Sequence, residues 1–123
     1  MAARDLNRIR ELLIHLEAID APDGWVWLRE TDFLIENDAY QLILMEQAGF
    51  CELSAKTMNS QLPGLIRISF LGHDYLDAIR DEGVWIKTKK GLAAVGGGTL
   101  EIAKDMAVAY IKQEAAEKLG ITL

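Results

Sequence analysis

Hydrophobic residues recur at helical spacing over residues 4–20, the first patterned stretch of the chain. One stripe contains Leu6, Ile9, Leu13 and Leu16, and it is widened by Leu12 and Ile19. A stripe at this spacing is typical of an amphipathic helix that packs on a core. Residues 22–24, Pro-Asp-Gly, favour a turn and end the helix. The aromatic and β-branched residues that follow, over 25–28, predict a short strand.

A second helix is predicted to begin between Thr31 and Asn37 and to end at Ala48. Thr31 and Asn37 are both residue types that cap helix N-termini. Gly49 directly after Ala48 is the residue type that most often ends a helix, because it adopts the left-handed conformation without strain. The stretch Tyr40–Phe50 therefore predicts a helix, a stop and the first residue of a strand.

Two strands and three further helices are predicted after this stop. The strands cover 50–54 and 65–69, and apolar residues alternate with polar ones in the second, so that one face is buried. Residues 55–64 between them form a loop longer than a tight hairpin needs. The helices cover 70–81, 84–95 and 99 to about 118, with Gly72 allowing close packing in the first.

This order of elements predicts a winged helix-turn-helix domain. The fold class is α+β and mostly helical, with a small antiparallel wing sheet and extra C-terminal helices. We expect one domain over residues 1–123, with a core at about 4–82 and a helical extension at about 84–119. The positioning helix of such a domain is expected to be missing or vestigial, because the residues available for it, about 25–34, look extended.

Composition favours a soluble cytoplasmic protein, and the charge is concentrated in one segment. No apolar run is long enough to span a membrane, and the single Cys51 excludes an internal disulfide. The chain carries a formal charge of −6. Residues 30–54 contain no Lys or Arg and six carboxylates: Glu30, Asp32, Glu36, Asp38, Glu46 and Glu52. This negative segment surrounds the helix that would read DNA in a winged-helix protein.

Three blocks of sequence resemble a known bacterial family. They are residues 4–10 (RDLNRIR), 40–50 (YQLILMEQAGF) and 68–81 (ISFLGHDYLDAIRD), followed by Trp85. With these blocks the chain resembles the phage-associated domain of unknown function 2513 family, which is similar to YjcQ-like winged-helix proteins. The resemblance implies a winged-helix fold and supplies no catalytic residue. Gln41, where the family usually has His, and Ile43, where a polar residue is expected, depart from its pattern.

Candidate sites for chemistry are few. His73 and Asp77 lie four residues apart on a helix, so their side chains are expected to meet in a surface hydrogen bond. Two histidines and one cysteine on different elements do not make a zinc site. The glycines at 96–98 are expected to form a hinge, and the three tryptophans are expected in the core. We predict no enzyme activity, no catalytic or metal-binding residue and no cofactor.

Two functional hypotheses remain. The first is a protein-interaction or regulatory module whose partner contacts the acidic helix, or a homodimer formed through residues 99–118. The candidate contact residues are Glu36, Asp38, Tyr40, Ile43 and Glu46. The alternative is a transcriptional regulator that binds DNA through the wing and the following helices. Its candidate phosphate contacts are Lys56, Arg67, Lys87, Lys89 and Lys90.

Overall fold

The computed structural model of the protein describes residues 3–35, 37–54, 64–96 and 100–120, excluding the side chains of residues 100 and 101. The chain divides into two compact units, Met1–Asp74 and Tyr75–Leu123, which are described separately below. That the chain is a single domain stays a prediction. Helices α1–α5 are Leu6–Glu17, Asp38–Gln47, Phe70–Ile79, Glu82–Ala94 and Leu100–Leu119. Strands β1–β3 are Val26–Trp27, Cys51–Ser54 and Leu65–Ile68.

The described elements confirm the predicted fold class, a mostly helical α+β protein with a small antiparallel sheet. The sheet has the order β1-β3-β2, and both pairings are antiparallel. β3 is the central strand because Ile66 lies opposite Val26 on one side and Leu53 on the other. The buried side chain of Ile66 shows that one face of this strand packs on the core, as its alternation predicted.

Only a single helical turn lies between β1 and α2 in the described residues. It is a 3-10 turn, Leu28–Glu30, and its first residue is buried. The Leu28 backbone N–H donates to the Gly64 carbonyl at 2.9 Å, and the Thr31 hydroxyl donates to the Leu28 carbonyl at 2.7 Å. The expectation of a missing or vestigial helix at this place is confirmed. The chain after the turn reaches α2 through residues 31–35 without regular structure.

The core of the first unit comes from one face of α1, the inner face of α2 and the sheet. Its fully or nearly buried apolar residues include Ile9, Leu12, Leu13, Leu16, Leu28, Leu42, Met45, Phe50 and Ile66. Asp5 caps α1, and its carboxylate accepts a hydrogen bond from the Arg8 backbone N–H at 3.1 Å. Gly49 ends α2 with φ of +82°, as the sequence predicted. Asp5 thus fixes the start of α1, and Gly49 fixes the end of α2.

The second unit contains the close pair α4 and α5. The helices approach at Gly91, where an added methyl carbon would lie 3.0 Å from Met106 Sδ and 3.1 Å from Tyr110 Oη. Ala103 and Ala107 of α5 are fully buried. No helix in the described ranges has both the length and the apolar character needed to cross a bilayer.

The wide apolar pattern of α5 comes from two exposed isoleucines beside its buried face. Ile102 and Ile111 are nine residues apart, about two and a half helical turns, so they lie on opposite sides of the helix. Both are exposed. These two residues therefore do not form a second continuous apolar face. Self-association through residues 99–118 stays a prediction, and Thr99 lies outside the described residues.

Candidate functional site

An exposed apolar surface lies on α2 and the first turn of α3. Tyr40 and Ile43 occupy the outward side of α2, and Phe70 and Leu71 are exposed at the start of α3, Phe70 to 85%. The end of α2 lies near the start of α3, because a methyl carbon added to Gly49 would lie 3.5 Å from a Leu71 methyl group. We call Tyr40, Ile43, Phe70 and Leu71 the α2–α3 surface. Exposed aromatic and aliphatic side chains grouped in this way mark contact sites more often than scattered ones do.

Asp38 does not belong to this surface, and its prediction as an exposed residue was wrong. Its side chain is 2% exposed, and it forms a two-pronged ion pair with Arg8. Arg8 Nε donates to Oδ1 and Nη2 to Oδ2, each at 2.9 Å. Arg8 Nη2 also donates to the Phe33 carbonyl at 2.7 Å, and the Ile35 N–H donates to Asp38 Oδ2 at 2.7 Å. The pair thus joins α1, α2 and the segment between them.

The electrostatics of the pair favour the charged form of Arg8. The hydrogen bonds from Arg8 to Asp38 raise the pKa of the guanidinium further above its usual range, although burial opposes the shift. A buried carboxylate needs such a partner because unpaired burial of a charge is costly. A substitution of Asp38 by Lys would place a second cation beside Arg8. It is therefore a test of folding and not of the charge on the helix surface.

Glu46 is half-buried, and its carboxylate has a structural contact. Its Oε2 accepts a hydrogen bond from the Leu53 backbone N–H at 3.2 Å, so it holds β2 against α2. A partner contact by Glu46 stays a prediction, and Glu36 lies outside the described residues. Among the described carboxylates in residues 30–54, Asp38 is paired with Arg8 and Glu52 with Arg67. The negative field of this segment is consequently weaker than its charge count suggests.

Gln41 is a second residue of α2 that points inward. Its side-chain oxygen accepts from the Asp5 backbone N–H at 2.8 Å, and its nitrogen donates to the Ala3 carbonyl at 2.7 Å. The amide therefore fastens the segment before α1 to α2. Gln41 is 36 and 38 residues from its two partners in sequence, so no local sequence pattern predicts these hydrogen bonds. Because Gln41 is buried, it is not available to read DNA bases.

Arg67 lies in β3, and this predicted phosphate contact is already engaged with other residues. Its Nε donates to Glu52 Oε2 at 2.6 Å, and its guanidinium lies 4.5 Å from the centre of the Trp25 ring. The hydrogen bond raises the pKa of Arg67 and lowers the pKa of Glu52. A phosphate would have to compete with Glu52 for the guanidinium of Arg67. Lys56 lies outside the described residues, so its role stays a prediction.

The comparison with protein families gives one match, to a sequence model described as "Hypothetical protein (DUF2513)" over residues 3–99. The chain belongs to the DUF2513 family. The match covers the whole first unit from residue 3, and in the second unit it extends through α4. The comparisons with curated proteins and with solved structures each gave no significant match. The match confirms the resemblance to the domain of unknown function 2513 family, whereas phage association and similarity to YjcQ-like proteins stay predictions.

Within this DUF2513 chain, the α4 lysines form a separate exposed group in the second unit. Lys87 Nζ lies 4.0 Å from Glu114 of α5, and Lys89 Nζ lies 5.9 Å from the centre of the Trp85 ring. Lys90 is also exposed. Long exposed pairs of this kind contribute little to stability, so these lysines remain available to an anion. Their contact with nucleic acid stays a prediction.

His73, in the 68–81 block, has a different side-chain partner from the predicted Asp77. His73 Nδ1 lies 3.3 Å from Glu17 Oε2 of α1, whereas Asp77 accepts a hydrogen bond from Arg80 at 2.6 Å. The expected bond between His73 and Asp77 is therefore wrong, because each side chain has a nearer partner on another turn or helix. Among the residues with described positions, no group of three or more His, Cys, Asp or Glu is arranged to hold a metal ion.

The three tryptophans differ in burial, and the expectation that all lie in the core was wrong. Trp85 is buried in the second unit, Trp25 is half-buried under Arg67, and Trp27 is 51% exposed. Trp27 follows the buried Val26 in a two-residue strand, so its side chain points to the opposite face. Of the predicted glycine hinge, only Gly96 is described, and it follows the end of α4 with φ of +82°.

Proposed function

We propose that the protein is a non-enzymatic interaction module that binds a protein partner through the α2–α3 surface. The observation that carries the proposal is the exposure of Tyr40 and Ile43 on α2 and of Phe70 and Leu71 at the start of α3. Aromatic and aliphatic anchors surrounded by polar residues are the usual centre of a protein interface. Asn37 and Gln47, which are exposed on the same helix, supply the polar rim.

The frame that we propose for this surface is a winged helix. The order α1, β1, α2, β2, β3 and the sheet order β1-β3-β2 support it, since two antiparallel strands follow the helix that carries the exposed face. In such a frame α2 takes the place of the recognition helix. Because fold alone does not determine function, the side chains on α2 decide what that helix recognises. The exposed side chains of α2 are Tyr40, Ile43 and Gln47, none of which is charged.

We expect Ile43→Asp to abolish partner capture without unfolding the protein, because the side chain is 38% exposed and a carboxylate there must be desolvated on binding. The matched control is Ile86→Asp on α4, since Ile86 is 42% exposed. The measurement is quantitative affinity capture from a lysate of the native host with wild type and both variants, after circular dichroism has shown that all three are folded.

The proposal requires a protein that wild type and Ile86→Asp retain and that Ile43→Asp loses. Equal retention by all three chains contradicts a role for the α2–α3 surface. Light scattering on the same samples separates a foreign partner from a second copy. If the mass doubles for wild type and Ile86→Asp only, the partner is another copy of this chain.

Transcriptional regulation is the alternative, and the exposed Lys87, Lys89 and Lys90 favour it. The outward side of α2 contains no Lys or Arg, and phosphate contacts supply most of the affinity of proteins for DNA. We therefore expect an unbiased selection from random duplexes at physiological salt to yield no enriched motif. Any weak binding should disappear as salt is raised. Recovery of one motif with nanomolar affinity, lost in Asn37→Ala, Tyr40→Ala or Gln47→Ala, would establish a DNA reader instead.

A further inference from the structure

A cleft separate from the α2–α3 surface lies between the C-terminal end of α1, β1 and the segment before α2. It has a volume of about 450 Å³. Its aromatic lining residues are His15, Trp25, Trp27 and Phe33, and its acidic ones are Asp20, Glu30 and Asp32. None of the described residues that line it is Lys or Arg. We call this the aromatic cleft. Its volume falls in the range of ordinary ligand sites.

The aromatic side chains that line the cleft suit a planar cation, which can stack on their rings. The rings of His15 and Phe33 are stacked with centres 4.9 Å apart and planes 16° from parallel, which makes a stiff wall. Trp27 stands half-exposed in the lining instead of joining the core. Trp25 already has the guanidinium of Arg67 at 4.5 Å from its ring centre. This intramolecular contact shows that the Trp25 ring accepts a guanidinium on one face, although Arg67 itself does not line the cleft.

The charge of the cleft selects the sign of its ligand. Asp20, Glu30 and Asp32 are all exposed lining residues, and they come from the segment after α1, the 3-10 turn and the segment that follows it. Carboxylates in this number repel phosphates and attract cations. A guanidinium satisfies both features, because its plane stacks on aromatic rings and its N–H groups form paired hydrogen bonds with carboxylates. An ammonium offers a point charge without a plane.

We propose that the aromatic cleft binds an arginine side chain in a peptide segment of a partner protein. The inference does not depend on the α2–α3 surface, whose residues are different. The 3-10 turn at 28–30 borders the cleft. This turn stands where the positioning helix of a winged-helix domain was predicted to be missing or vestigial. The 3-10 turn and the irregular segment after it contribute Glu30, Asp32 and Phe33 to the lining of the cleft.

The test uses the indole N–H signals of the three tryptophans in a nitrogen-15 NMR spectrum of the full chain. The probe is the capped peptide acetyl-Gly-Gly-Arg-Gly-Gly-amide, and the matched neutral peptide has citrulline in place of arginine. We expect the arginine peptide to shift the signals of Trp25 and Trp27 saturably, in the millimolar range. Trp85, buried in the second unit, is the internal control and should not move. The citrulline peptide should give no saturable shift.

Two sets of variants locate the ligand. Trp27→Ala should weaken binding about two- to fivefold, as expected for a cation–π contact at a partly exposed site. The double change Glu30→Gln with Asp32→Asn should weaken it by about the same factor, whereas Glu82→Gln on α4 should have no effect. The charge variants alter no aromatic packing, so they test the site even if Trp27→Ala fails to fold.

The proposal is overturned by the absence of a saturable shift at Trp25 and Trp27, by an equal response to the citrulline peptide, or by unchanged binding in the double carboxylate variant. A lysine peptide that binds as tightly as the arginine peptide would also contradict the assignment to a planar cation. None of these outcomes bears on partner capture by the α2–α3 surface, so the two proposals fail separately.

Discussion

Replacement of Gly72 by alanine is expected to lower the free energy of unfolding by at least about 3 kcal/mol, at the upper end of overpacking effects. The added methyl carbon would lie 2.0 Å from the Phe50 carbonyl oxygen and 2.8 Å from Ile68 Cγ2. The nearest atom belongs to the backbone, so no side-chain rotation can relieve the clash. The first turn of α3 would have to move away from the strand that begins after Phe50.

The local hydrogen bonds make this movement costly. The Ser69 N–H donates to the Phe50 carbonyl at 3.1 Å, and the Ser69 hydroxyl donates to the Gly49 carbonyl. The same hydroxyl accepts from the Gly72 N–H at 3.0 Å. Displacing α3 breaks these bonds and leaves the partly buried Gly72 N–H without its acceptor. The close approach at Gly72 and the end of α2 at Gly49 are therefore parts of one junction.

Urea unfolding followed by circular dichroism measures the effect, with Gly83→Ala as the matched control. Gly83 is exposed in the first turn of α4, and an added methyl carbon would meet only the Asp81 carboxylate, at 3.2 Å. That side chain can shift, so we expect the control to stay within about 1 kcal/mol of wild type, the scale of the difference between glycine and alanine in a helix. A wild-type unfolding curve for Gly72→Ala would contradict the close approach.

The second large effect is expected at the ion pair of Arg8 with Asp38. Arg8→Met should lower the free energy of unfolding by about 3–5 kcal/mol, because it leaves the buried Asp38 carboxylate without a cation. Arg8→Lys should recover only part of this loss, since one ammonium cannot replace both prongs and the bond to the Phe33 carbonyl. The double variant Arg8→Met with Asp38→Leu should be more stable than Arg8→Met alone.

A double-mutant cycle in urea gives the coupling between the two residues. The matched control is Arg80→Met, whose partner Asp77 lies at 2.6 Å on the surface, with both side chains largely exposed. Exposed pairs contribute about 0–1 kcal/mol, so this variant should stay close to wild type. If Arg8→Met and Arg80→Met have equal effects, the Arg8 pair is not buried as described.

The elements that follow local patterns were predictable, and the contacts that join distant segments were not. The apolar stripe of α1, the stop at Gly49 and the alternation in β3 each depend on neighbours in sequence, and each was predicted close to its observed place. Arg8 and Asp38 are 30 residues apart, and both have the polarity expected of surface residues. The one sequence feature that indicates partial burial of Arg8 is its place directly before the buried Ile9 and one turn before the buried Leu12.

The candidate site shows the same division. Tyr40 and Ile43 were predicted as contact residues from their places on α2, and both are exposed. The inward orientation of Gln41 was not predicted, because its partners Asp5 and Ala3 come from the segment before α1. The exposure of Trp27 was not predicted, because a two-residue strand is too short for its sequence to show which face is buried.

Hydrogen–deuterium exchange on the complex captured by wild type tests the central proposal most directly. We expect partner binding to slow exchange in peptides covering residues 37–48 and 68–74, which carry the α2–α3 surface, while peptides covering α4 exchange as in the free chain. Slower exchange confined to α4, with Tyr40, Ile43, Phe70 and Leu71 unaffected, would contradict the account.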